Sequence, residues 1–158
     1  MGVDPPTDDL MARKPRRLTD RVIDRPMWIG VIEIGAVMAA VTLLTIDLYL
    51  PGGLIEGAYA LDNARTAGFT VLVFAQLFNC FNARSENMSA FRHLFVNAWL
   101  WGAIALSTLL QIAVVSFGTL NVAFGTVPLE LKQWLVCAAM ASVVLWYSEI
   151  RKGVARLV

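Results

Sequence analysis

Three amides, Gln76, Asn79 and Asn82, recur at steps of three inside an otherwise apolar stretch, and they are the side chains best suited to chemistry in this sequence. At i, i+3 and i+6 they lie along one side of a helix, drifting slowly round it. Amide oxygens are good ligands for hard cations. They are equally common partners in hydrogen bonds between helices, so the spacing leaves cation coordination and packing both open. Gln111, with Ser107 one turn before it, makes a weaker polar edge that reads as packing. Glu33 and Asp47 are acids set in an apolar run. Asp47 is close enough to the end of that run for its carboxylate to reach water, whereas Glu33 lies about two turns in, where a charge needs a partner. That partner is expected outside this chain; protonation, pairing with a neighbouring helix or a place on a proton path are the alternatives.

Other reactive types offer less. Cys80 and Cys137 sit in apolar runs with no CxxC spacing, so they read as small buried hydrophobes rather than a metal site or a catalytic thiol. His93, beside Arg92, reads as a helix-entry residue at the interface. No GxxxxGK[ST], GxGxxG or HExxH occurs, and no soluble region is large enough to hold a Ser/His/Asp set over a substrate. The chain alone is not expected to be an enzyme or to bind a cofactor.

The elements that must hold the amides are membrane helices. The chain has 158 residues, 58% hydrophobic and 16% charged, against about half and a quarter in soluble domains. The apolar excess falls in four blocks, at about 27–49, 65–83, 94–117 and 132–149. The first is long enough to cross a hydrocarbon core of about 30 Å at about 1.5 Å per helical residue, and the second is shorter, which fits a helix with little tilt or one packed inside a bundle. The fold class expected is therefore all-α: an integral membrane protein of four antiparallel helices, each a neighbour of the next because the loops are short. Residues 1–25 form a polar arm, 26–150 the membrane domain and 151–158 a basic tail. The first apolar run begins only after the charged arm, so the first helix is expected to stay as an anchor rather than be cleaved.

Charge sets the orientation. Eleven of the thirteen Lys and Arg lie before span one, between spans two and three, or after span four. By the positive-inside rule both termini and the 84–93 loop are cytoplasmic, and the 50–64 and 118–131 loops face the other side. A net charge of +1 gives no reason to expect a nucleic-acid partner. The arm reads either as solvated chain at the anionic membrane surface or as a docking loop, for which Asp8, Asp9 and Arg13 are the candidates.

Five segments together carry a family resemblance. Met1-Gly2-Val3-Asp4-Pro5-Pro6, then Asp8-Asp9-Leu10-Met11 and Lys14-Pro15-Arg16, resembles the loop after the sixth helix of P-type cation-transporting ATPases. Phe78 through Asn87 is similar to the exit of the eighth helix of calcium pumps, and Asn97-Ala98-Trp99-Leu100-Trp101-Gly102 to the ninth helix. Gln133-Trp134-Leu135 and Ser148-Glu149-Ile150-Arg151-Lys152 resemble the two ends of the tenth. The order and spacing match over essentially the whole chain.

The resemblance implies that the four spans are helices seven to ten of a calcium-pump-like ATPase in a bacterial plasma membrane. It implies a membrane-support segment that contributes to the ion pathway, while the parent pump uses ATP and Mg2+ and transports a cation. In two-site calcium pumps the eighth-helix ligand position is a glutamate, and it falls on Gln76 here. Gln76 is thus the candidate metal contact, with Asn79 beside it. A neutral amide lacks the charge that helps hold a second divalent ion, which argues for a one-site pump or another cation. The Asp-Lys-Thr-Gly-Thr phosphorylation motif and the nucleotide-binding domain are missing from this sequence. Met1 falls where the family's chain would continue out of its sixth helix, which reads as a truncated gene, a domain excerpt or a split subunit. The alternative is a stand-alone four-helix protein that binds or regulates an intact pump. An independent enzyme or channel would need a polar cluster spread over several spans, and only span two has a clear stripe.

Overall fold

Lipid offers no partner to a backbone N–H or C=O, so each apolar run folds as a helix that satisfies both within itself. The computed structural model describes residues 25–52, 60–83 and 98–155. Asp8, Asp9, Arg13 and His93 lie outside the described residues. Five helices follow one another: α1 Arg25–Tyr49, α2 Leu61–Ala83, α3 Ala98–Ser116, α4 Gly118–Phe124 and α5 Leu131–Ala155. Four of them are long and apolar enough to span a membrane, so the all-α expectation holds for the described residues.

Several boundaries move outward from the sequence reading. α2 starts at Leu61 rather than near Arg65, with Asp62 in its first turn, where the helix dipole favours an acid. α5 continues to Ala155, well past 149, with Lys152 in its last turn at the end that favours a base. The 118–131 connection is not a plain loop: it contains α4, closed by Gly125 in the left-handed region at φ 65.

The expectation that each helix packs on the next needs correction. α2 is the hub, packed mainly on α5 and α1, while α3 leans only on α2 and its own neighbour α4. α5 runs parallel to α2: Cys137 Sγ meets Ala67 O, and further along Asn82 Nδ2 meets Val144 O. Side-chain size explains this arrangement. Without a hydrophobic drive between helices in lipid, close approach depends on small residues. α2 supplies Ala64, Ala67, Val71 and Ala75, and α5 supplies Cys137, Ala141 and Val144, which form one buried core with Val41 and Tyr49 of α1. At Gly68 an added Cβ would stand 2.5 Å from Ile46 Cγ1, so only glycine lets α1 come this close. α3 has Leu106, Leu109 and Leu110 exposed, and its own small residues Ala98, Gly102 and Ala105 are exposed as well rather than packed on a neighbour.

Candidate functional site

α2 carries the candidate residues, and its four sides have different fates. Gly68 fits against Ile46 and Thr42 of α1. Ala67 and Asn82 face α5. Thr70 and Phe81 face α3, where Gln111 Nε2 donates to Thr70 Oγ1 at 3.0 Å and the Phe81 and Trp101 rings are 5.6 Å apart. The remaining side stays open. Arg65, Phe69, Leu72 and Gln76 are exposed and recur at steps of four, three and four, which is one stripe of a helix. Asn79, half-buried, follows three residues on.

The amides therefore do not share one environment. Each step of three lags a full turn by about 60°, so Asn82 stands about 120° round from Gln76. Gln76 is exposed on the open stripe, Asn79 sits at its edge, and Asn82 is buried against α5 at 4% exposure. Gln76 lies about 10 Å in from Ala83, at about 1.5 Å per residue. A lone amide oxygen supplies one of the six to eight ligands a calcium ion takes. Among the described residues no group of three or more His, Cys, Asp or Glu could hold a metal ion. Any further oxygens for a cation at Gln76 must come from across the open face.

Two clusters brace α2 on either side of Gln76. At the end where α2 begins, Thr66 Oγ1 donates to Asp62 O and accepts from Val127 N–H at 3.0 Å. Thr70 Oγ1 donates to Thr66 O while it accepts from Gln111. The packing read for Gln111 has a definite partner here. At the other end Lys152, only 5% exposed, reaches Asn82 O at 3.5 Å and Glu149 Oε1 at 3.8 Å. Arg151 turns the other way and donates to Glu33 Oε2 at 2.9 Å, its guanidinium lying over Gly30. This overturns the expectation that Glu33 finds its partner outside the chain: the carboxylate and guanidinium stand at the same membrane depth on α1 and α5.

The sequence reading passed over the two threonines. Their signal was present as a pair of hydroxyls one helical turn apart, at 66 and 70, in the same span as the amides. The Glu33–Arg151 pair, 118 residues apart, has no comparable local signal.

Comparison with known proteins sets these helices in a larger molecule. The chain is 32% identical to the calcium-transporting ATPase of Bacillus subtilis over 143 residues, which covers 90% of this chain and 16% of that protein. It is 31% identical to calcium-transporting ATPase 1 of Bacillus cereus over 165 residues, covering 96% and 18%. It is 32% identical to calcium-transporting ATPase 8, plasma membrane-type, of Arabidopsis thaliana over 153 residues, covering 92% and 14%. The chain thus spans less than a fifth of the length of these relatives. Residues 1–154 match the family described as cation transporting ATPase, C-terminus. With four membrane-crossing helices and a match that runs almost from end to end, the chain belongs to the C-terminal transmembrane domain family of the P-type cation-transporting ATPases.

Proposed function

We propose that this chain is the membrane-support segment of a calcium-type cation pump, and that the open stripe of α2 is where it meets the rest of that pump. One observation carries the reading: Gln76 is exposed on a side of α2 that α1, α3 and α5 leave uncovered. An amide facing hydrocarbon is unfavourable, and polar groups inside a membrane face a bundle interior or a water-filled path. The stripe is therefore covered by further helices, and Gln76 offers them one neutral oxygen for the transported cation. Asn79 is the next group along the same path. The sequence supplies no phosphorylation site or nucleotide domain, so ATP and Mg2+ belong to the remainder of the pump, joined in cis or as a separate subunit. The transported ion is the substrate, and a neutral residue at Gln76 favours one divalent ion over two.

The charge bias puts both termini on the cytoplasmic side. Arg151 and Lys152 then stand at the cytoplasmic end and α4 at the opposite one. The relatives come from bacteria and plants alike, and the plasma membrane is the location we favour. Asp8, Asp9 and Arg13 would lie in the cytoplasm, where the arm docks on the pump's soluble parts.

The test uses the complete pump that carries this segment. Gln76→Ala should raise the calcium concentration for half-maximal ATPase activity, and Gln76→Glu should change the steepness of the calcium dependence. Gln111→Ala should lower the yield of folded pump and leave the calcium dependence of the surviving fraction unchanged. Equal effects at the two positions, or none at Gln76, would return Gln76 to a packing role.

A further inference from the structure

The connection between α3 and α5 turns Asn121 and Thr126 inward and leaves Phe117, Val122 and Phe124, with Thr119, on the outside. Phe117, extended at φ −90 and ψ 121, breaks the chain out of α3, and α4 follows for seven residues. Phe117 N–H donates to Ala113 O at 2.9 Å, Asn121 N–H to Phe117 O at 2.8 Å and Thr126 N–H to Asn121 O at 3.0 Å. With its amide nitrogen toward α3, Asn121 also donates to Val114 O and Phe117 O, each at 2.8 Å. Thr126 Oγ1 donates to Val114 O at 2.7 Å, and Val127 N–H to Thr66 Oγ1 at 3.0 Å. Thr66 lies five residues inside α2, or about 7 Å along its axis at about 1.5 Å per residue. The return leg therefore doubles back below the ends of the helices it joins.

The outward surface is the opposite in character. Phe117 is 63% exposed, Val122 85% and Phe124 60%. No charged residue occurs from Phe117 through Leu129. This surface continues that of α3, where Leu109 and Ile112 are also exposed. A protein-binding patch ordinarily carries a polar rim; the rim here is limited to the small hydroxyls of Ser116 and Thr119, and the first charge is Glu130.

We propose that α4 and its flanking residues form a lipid-facing cap, lying in the boundary between headgroups and acyl chains rather than in water. Irregular backbone is tolerated at membrane depth only where its N–H and C=O groups find partners within the protein, and the contacts above supply them for the N–H groups of Phe117, Asn121, Thr126 and Val127. With Phe117, Val122 and Phe124 exposed and no charge on the segment, that apolar surface is more favourably placed against acyl chains than in water. The occupant of the exposed surface is lipid, held in place because both ends of the connection are tied to membrane spans. The proposal does not depend on the transport reading.

Site-directed spin labelling of the full chain in phosphatidylcholine liposomes tests it. Nitroxides at V122C and F124C are placed in a C80A background; Cys137, fully buried, stays unlabelled. A label at L106C, on the exposed face of α3, is the lipid control. At both α4 positions oxygen collisions should outweigh those with a water-soluble nickel chelate, giving a ratio above one as at the control. A ratio below one would put the connection in water and overturn the proposal. Suppression of both collision rates would mean that protein, such as a second copy, covers the patch, and would overturn it too. Circular dichroism matching that of the unlabelled chain establishes that each labelled variant has folded.

Discussion

The two ends of the bundle are held by different chemistry. Where α2 begins, neutral hydrogen bonds join the elements, among them Thr66 to Val127, Thr70 to Gln111, and Thr126 to Val114. Where α2 ends, charged contacts join the neutral ones of Asn82 with Val144 and Phe81 with Trp101: Glu33 with Arg151, and Lys152 with Glu149 and the carbonyl of Asn82. The neutral contacts where α2 begins are short, 2.7 to 3.0 Å, and buried or part-buried. The ionic ones include a half-exposed pair and two at 3.5 and 3.8 Å, and Asn82 Oδ1 is buried there without a hydrogen-bond partner. Neutral hydrogen bonds are indifferent to salt, whereas exposed ion pairs are screened within about a Debye length of 10 Å at 0.1 M. One end is thus held by neutral hydrogen bonds, and the other adds charge to them.

That contrast can be broken in order of expected effect. Thr66→Val removes the acceptor of the Val127 N–H and leaves a part-buried donor unpaired, at a loss of about 2 kcal/mol. Unfolding of the reconstituted chain in sodium dodecyl sulfate, followed by circular dichroism, reads it; a loss no larger than that of an exposed Leu106→Ala would remove Thr66 from the clamp. Thr70→Val should lose about 1 kcal/mol, the usual worth of a hydrogen bond between membrane helices. Thr70→Ser should recover most of it, because the hydroxyl still accepts from Gln111; failure of the serine to rescue points to packing of the methyl instead. Glu33→Gln should lose only about 0.5 kcal/mol, since both side chains are more than a third exposed. Its distinguishing mark is salt: the difference from the parent should fade by about 1 M salt, where screening acts within roughly 3 Å. A reversed pair, Glu33→Arg with Arg151→Glu, should restore what either single change loses, and additive losses would mean the two groups do not interact. Gln76→Ala should leave the stability of this chain unchanged, because the exposed amide makes no described contact to lose. A measurable drop would place Gln76 in the framework that holds α2 rather than on its open side.

Much of this was readable from the amino acids, and the limits are physical. Four apolar blocks had to become helices because nothing else satisfies a backbone in lipid, and the structure describes a spanning helix in each. The ends were less legible: hydropathy stops where polar residues begin, but α5 goes on through Glu149, Arg151 and Lys152, whose contacts reward the extra turns. The neighbour relations were not legible at all. Short loops suggested consecutive packing, yet the small residues of α2 and α5 brought together two helices that run parallel and are separated in the chain by α3 and α4. At the candidate site, a spacing of three was read as a stripe, and only Gln76 and Asn79 stay on or beside the open face. Three is short of the helical period of 3.6, so a third member drifts out of line. Asn82 has drifted into the α5 interface. The partner of Glu33 was hidden because an ion pair between the first and last spans leaves no trace in local sequence.

The parallel pairing of α2 with α5 also bears on how the protein is made. Ribosomes release the four spans in order, and α1 and α2 can close on each other through Gly68 as soon as both are in the bilayer. The other half of the buried core, Cys137, Ala141 and Val144, belongs to the span that emerges after the rest. Until it arrives, Ala67, with its carbonyl toward Cys137, and Asn82, whose amide meets Val144, have no helix on that side of α2. The insertion machinery or a chaperone must shield that side in the meantime. A nascent chain halted before residue 131 should therefore be a substrate for membrane quality control, although most of its transmembrane helices are already in place.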